Sequence, residues 1–197
     1  MRFLFILAFL IIAPLVISQN EWVLEKTEDD IEVYTRIKKG TNYYEFRVIF
    51  YANSSMKHAV DLIMNVNNFK NWMPNTLESK VLKKVDENTL YGYTITAAPW
   101  PASSRDLVFK LTKKSSNNGC SLLLVGKPDF YVTQSGKVRV QEYRAEWKLT
   151  ELSPHRLKID YNQSFNPGNA FPNWMVKNAF IDARMTTAKK FKEELKK

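Results

Sequence analysis

After Pro172 the chain has no further proline and no glycine. Val176, Phe180, Ala183, Thr187 and Phe191 recur at helical spacing as far as about Lys196, with Trp174, Met175, Ala179 and Ile181 widening the stripe over the first turns. Pro172 suits a first helical position, and Lys189, Lys190, Lys192, Lys196 and Lys197 crowd the carboxyl end, where cations meet the negative pole of the helix dipole. A long helix with one apolar face has to bury that face. Almost everything before it alternates with the period of strands, so the constraint is a single helix laid on a sheet.

The strands are read from their alternation. "EWVLEKTEDDIEVYTRI" predicts a hairpin about Glu28-Asp29-Asp30. In "YYEFRVIFYA", Tyr44, Phe46, Val48 and Phe50 share one face, and Glu45, Arg47, Ile49 and Tyr51 the other. The period then changes: Met56, Ala59, Val60, Ile63 and Met64 predict a helix capped by Asn53 or Ser54, in a helical region closed by Pro74. "ESKVLKKVDENTLYGYTITA" is a hairpin turning at Asp86-Glu87-Asn88, with Tyr91, Tyr93 and Ile95 on one face of its second strand. "RDLVFKLTKK", with Leu107, Phe109 and Leu111 aligned, and "CSLLLVG" form the next pair. "KVRVQEYRAEWKLTEL" and "RLKIDYNQSF" complete a large antiparallel sheet. The apolar face of "KVRVQEYRAEWKLTEL" changes near Glu142, where a bulge is expected.

The opening residues bound the setting. Arg2, an unbroken apolar run from Phe3 to Ile17, and small Val16 and Ser18 before Gln19-Asn20 predict a secretory signal peptide over residues 1–18. Its apolar run falls short of the roughly 20 residues that span a bilayer. Residues 19–197 then form one domain, exported to a periplasm or secreted. The formal charge of +9 becomes +8 without Arg2. A basic exported chain will feel anionic headgroups, and export argues against nucleic acid. Cys120 is the only cysteine, so no internal disulfide forms and it is expected in the core.

"AAPWPASSRDLVF", Ala97 to Phe109, carries no nucleophile, phosphate loop or metal cluster. Pro99 and Pro101 cannot donate to a ladder, and Ser103 and Ser104 supply local turn bonds, so the segment is a shaped corner between strands with Trp100 at its rim. Arg105 and Asp106 point to opposite faces of a strand and each needs another partner. They read as structural anchors.

Specific residues also resemble the START (StAR-related lipid transfer) domain. "PWPASSRDLV" is similar to that family's Pro-Trp-Pro and Arg-Asp-Phe-Val segment, with Leu107 in place of phenylalanine. "FNPGNAFPNWMVKNAF", Phe165 to Phe180, resembles its approach to the last helix, and "IEVYTR" and "FKNWMP" are family-like too. The resemblance runs from Trp22 to about Lys196. It implies an α+β helix-grip fold, a curved antiparallel sheet wrapped around the C-terminal helix with a hydrophobic tunnel between them that holds one lipid or sterol-like ligand. Trp72, Tyr91, Tyr93, Trp100, Phe109, Trp147, Met175, Ala179 and Phe180 would line that tunnel with Arg105 and Arg144, while Phe171 and Trp174 would gate it against a membrane. Ordinary core packing accounts for the same residues equally well. Some sterol-binding members bury an acid and an arginine at positions that are Gly92 and Leu111 here, a departure that puts the carry-over of sterol specificity in doubt.

Three function classes follow. The first is a monomeric exported lipid-binding or lipid-transfer protein, needing no cofactor or metal and touching membranes transiently. The second is a helix-grip enzyme of the cyclase or aromatase type, in which Glu142, Tyr143, Arg144 and Arg105 could move protons. Its two histidines, His58 in the first helix and His155 after Pro154, have no partners for metal ligation or a nucleophilic triad. The third is a scaffold with a filled core.

Overall fold

Asp29 and Asp30, both in the left-handed region (φ 50° and 59°), turn the chain between β1 (Val23–Glu28) and β2 (Ile31–Ile37). Short polar side chains tolerate that conformation, which matches the twist of a tight hairpin. The computed structural model describes residues 21–98, 102–166 and 173–197, with side chains of the last segment from Lys177 onward. The expected leader, Trp100 and Phe171 lie outside the described residues, as do the side chains of Trp174 and Met175.

β3 (Tyr44–Asn53) buries Phe46, Val48, Phe50 and Ala52 at period two, as the alternation requires. α1 (Met56–Met64) is capped by Ser55, whose Oγ accepts from the His58 amide at 3.2 Å, and not by Asn53 or Ser54. The reason is that the Ser54 amide donates to the His155 carbonyl at 2.9 Å, holding the chain extended for one more residue. A 3₁₀ turn (Val66–Asn68) and α2 (Phe69–Trp72) follow, and Asn75 at φ 60° leads into β4 (Thr76–Lys84). Then come β5 (Thr89–Thr96), β6 (Arg105–Ser116), β7 (Gly119–Gly126), β8 (Val138–Arg139), β9 (Tyr143–Ser153), β10 (Arg156–Phe165) and α3 (Asn173–Glu194).

One curved sheet runs in the order β1-β2-β3-β10-β9-β7-β6-β5-β4, every neighbour antiparallel, with β8 parallel to the start of β6. The bulge expected near Glu142 is instead a break between β8 and β9. Its cause is a change of partner: Val140 donates to the Asp106 carbonyl on β6 at 2.9 Å, whereas Tyr143 onward pairs with β10 and β7. A bulge within one ladder cannot move a strand to another.

α3 lies across the inner face, against β1, β2, β3 and α2. Ile181, Met185, Ala188, Phe191 and Leu195 are buried, with Arg184 and Thr187 among them. Phe191 meets Phe50, Trp72 and Trp147 at ring distances of 5.9, 5.3 and 5.1 Å. The helix is rotated from the expected stripe, so that Ala183 is half-buried and Ala179 exposed. Ion pairs tie its flank to the first hairpin: Lys177 to Glu25 at 2.6 Å, Lys26 to Asp182 at 2.9 Å, and Lys189 to Glu28 at 2.5 Å and Asp29 at 3.2 Å. Lys189 and Lys197, at the carboxyl end of the helix, are thus paired with protein carboxylates, Lys197 with Glu194 at 2.6 Å. Among the described residues no helix is long and apolar enough to cross a membrane.

The outer face holds a second, smaller core of Tyr93, Ile95 and Val108, covered by Leu82 and Tyr131. Here Asp106 finds its partner. Its carboxylate is 0% exposed and accepts two bonds from Arg139, itself 6% exposed, at 3.1 and 2.8 Å, and a third from the Tyr93 hydroxyl at 3.3 Å. Arg139 also donates to the carbonyls of Pro128, Tyr131 and Val132, so one guanidinium fastens the long excursion between β7 and β8 to the back of the sheet. Burial, then the Asp106 charge, pushes the Tyr93 phenol up to about 12.

Candidate functional site

The inner face under α3 is built from every second residue of five strands. β3 supplies Phe46 and Phe50, β10 Tyr161, Gln163 and Phe165, β9 Tyr143, Ala145 and Trp147, β6 Phe109 and Leu111, and β5 Gly92. α2 adds Phe69 and Trp72. Aromatic contacts then run without a gap. Phe69 stacks on Phe109 at 6.3 Å and meets Trp72 at 5.2 Å, Trp72 meets Trp147 at 5.8 Å, and Trp147 stacks on Tyr161 at 4.0 Å.

Past Tyr161 the lining changes character. Phe180 of α3 packs on Phe165 at 4.7 Å and Phe46 at 5.6 Å, and the Arg184 guanidinium lies 5.2 Å from the Phe180 ring and 5.9 Å from Tyr161. Tyr143 turns its hydroxyl inward beside Tyr161 and Gln163, where burial pushes the phenol well above its usual value, Tyr161 adds to the rise and the Arg184 charge opposes it. Among the described residues, four buried polar atoms have no hydrogen-bond partner: Trp72 Nε1, Trp147 Nε1, Gln163 Oε1 and Arg184 Nε. All four belong to the lining of this one face. Native interiors leave few such atoms unsatisfied, so their grouping on one face sets this face apart from the rest of the core.

A model of the START domain matches residues 15–197. The chain belongs to the START domain family. It is 26% identical over 171 residues to an "uncharacterized protein" of Pseudomonas aeruginosa, covering 86% of this chain and 84% of that one. Among solved structures it is similar to a STAR-related lipid transfer protein fragment from Xanthomonas axonopodis, with TM-score 0.82, 26% identity, and 89% of this chain and 99% of that one covered. The fold is also that of human StAR-related lipid transfer protein 5, with TM-score 0.79, 14% identity, and coverage of 89% and 86%.

In this START domain Trp72, Phe109 and Trp147 are buried on the inner face and Phe180 is half-buried beside them. Arg105 lies half-exposed at the end of β6, its Nη1 donating to the Ser103 carbonyl at 2.6 Å. Four expected lining residues face elsewhere. Tyr91 stacks on Phe130 at 3.7 Å and Tyr93 sits in the outer core, because β5 turns Leu90 and Gly92 inward. Arg144 is exposed, as the strand neighbour of inward Tyr143 and Ala145, and Ala179 is exposed by the phase of α3. His58 and His155 are both exposed.

At the two positions where some relatives carry a buried charge, the START domain is apolar and closed. A Cβ on Gly92 would stand 2.5 Å from the Phe109 ring, and Leu111 is fully buried. The residue that sequence reasoning passed over is Arg184. Its signal was present: it falls four positions after Phe180 and seven before Phe191, inside the helical stripe.

Proposed function

We propose that this START domain holds one hydrophobic ligand between the inner face of its sheet and α3, and carries it between membranes as an exported monomer. The observation that supports this best is the set of buried, unpartnered polar atoms along an otherwise aromatic face, since such atoms are costly to a filled core and useful to a bound amphiphile. Similarity to a STAR-related lipid transfer protein of known structure supports the same ligand class.

Release requires α3 or the segment before it to move, and Pro167 and Gly168 provide the hinge chemistry there. Phe171 and Trp174 are the residues we assign to the bilayer interface. The leader-like residues 1–18 support export.

Native mass spectrometry of protein purified from the exported fraction, followed by denaturing extraction, tests the reading. A stoichiometric extra mass that extraction removes is expected, on a polypeptide shortened by the leader. A bare mass that stays unchanged after incubation with mixed lipid vesicles would end the ligand-binding reading.

A further inference from the structure

Among the described residues, three lysines of α3 are answered by the first hairpin. Lys177 pairs with Glu25, Lys189 with Glu28 and Asp29, and Lys192 donates to the Asp29 carbonyl. Arg184 is more buried than these, at 9% exposure, and among the described residues no carboxylate pairs with it. Its Nε has no acceptor. The rings of Tyr161 and Phe180 attract the cation but offer no acceptor to its Nε–H. A guanidinium cannot shed its proton to escape this position, as a lysine can. A second unfilled polar atom, Gln163 Oε1, belongs to the facing strand, and Tyr143 bridges the two, near Gln163 and within the field of Arg184.

The charge count and the shape of the surroundings restrict what fits. One unpaired positive charge is cancelled by one negative charge, and the edge of a guanidinium matches the two oxygens of a carboxylate. A doubly charged phosphate monoester would leave charge uncompensated, because the nearby Tyr143, Tyr161 and Gln163 are neutral. On the deep side of Arg184 the space is taken by Trp147, Trp72 and Phe191. On the other side Phe46, Phe165 and Phe180 pack into an apolar cluster. An apolar tail laid along that cluster keeps to apolar neighbours.

We propose that Arg184 anchors the carboxylate of a single-chain amphiphile inserted head first beneath α3, its tail passing Phe46, Phe165 and Phe180. This inference rests on the ligand-binding reading above and gives it a substrate class. Arg184 acts as a specificity-determining residue.

The test uses purified protein stripped of copurified lipid on a hydrophobic resin, with tryptophan fluorescence as readout. Hexadecanoic acid, its methyl ester and hexadecanol are titrated, and acetate alone serves as the bare anion. The acid is expected to bind about 10- to 100-fold tighter than the ester, the range of one charge-assisted hydrogen bond. Arg184→Met should remove that preference, bringing the ratio of acid to ester affinity to about one, with the circular dichroism spectrum reporting whether the fold is kept. Arg184→Lys, which keeps the charge and loses the fork, should retain part of the preference, and it decides the matter if the methionine variant does not fold.

Equal affinity for acid and ester in the parent protein would overturn the role of Arg184 and leave ligand binding standing. Acetate binding as tightly as the acid would overturn the amphiphile in favour of a small-anion site. Failure of all three long-chain probes to bind would instead sink the ligand-binding reading on which the inference stands.

Discussion

Replacing Asp106 by alanine removes the one carboxylate that answers Arg139 in the outer core. The two side chains are 0% and 6% exposed, so solvent cannot screen the loss, and the Tyr93 hydroxyl loses its acceptor in the same step. Arg139 keeps its bonds to the carbonyls of Pro128, Tyr131 and Val132, which moderate the effect without cancelling the charge. Breaking a buried pair on one side costs about 3–5 kcal/mol. For a domain of this size that corresponds to a fall in melting temperature of about 6–20 °C. Removing both partners, as Asp106→Leu with Arg139→Met, should recover most of the loss, because the desolvation cost disappears with the charges.

Urea unfolding of parent, single and double variants, followed by circular dichroism, measures these values. Limited proteolysis reports separately whether the 127–137 excursion has come loose. An Asp106→Ala variant within about 1 kcal/mol of the parent would refute the claim that this pair holds the outer core together. A double variant no better than the single one would refute the electrostatic explanation and point to packing.

Other outcomes follow from the same structure. Trp174→Ala should slow lipid exchange between vesicles and leave the circular dichroism spectrum intact; equal exchange rates would remove its assigned role at the bilayer. Gly92→Asp should destabilise the fold by about 1–3 kcal/mol in urea unfolding, since the new side chain meets the buried Phe109 ring, and it should not create sterol binding. Tyr93 has a folded-state pKa of about 12 against 10.0 unperturbed, so its contribution to stability is complete below pH 10 and is lost as pH rises towards 12. Tyr93→Phe should therefore flatten the stability profile over that window, as followed by denaturation at stepped alkaline pH.

The hairpin turns were legible in the sequence because each is written in short polar residues between alternating runs. Asp29-Asp30 and Asp86 to Asn88 turn where they were expected. The last helix was legible from its uninterrupted period. What sequence reading misjudged is the side to which apolar residues point where both faces of the sheet are covered. Tyr91, Tyr93 and Ile95 look like a core face, and two of them are indeed buried, but under the 127–137 excursion on the back of the sheet. Nothing local announces that covering, because it depends on Arg139 reaching Asp106 across 33 residues. Arg184 was hidden for another reason. Pattern reading sorts arginine with the solvated face, so a charge inside the stripe is passed over when apolar neighbours complete the period around it. The cap of α1 was missed by one residue, because whether Ser54 is still in the extended chain is settled by a bond to His155 from the far end of the sheet.

The order of strands has a consequence for how this chain comes to be folded. β3, near the beginning, pairs with β10, which ends at Phe165, and α3, which covers the inner face beside α1 and α2, ends at Glu194. A growing polypeptide therefore has its first three strands long before β10 arrives to extend them, and an aromatic surface without α3 over it. Pairings this distant along the chain form slowly, because their loop-closure entropy has to be met before any contact rewards it. Such a protein completes its sheet and its aromatic core only once β10 and α3 are both available, so a chain shortened before α3 should expose its aromatic face.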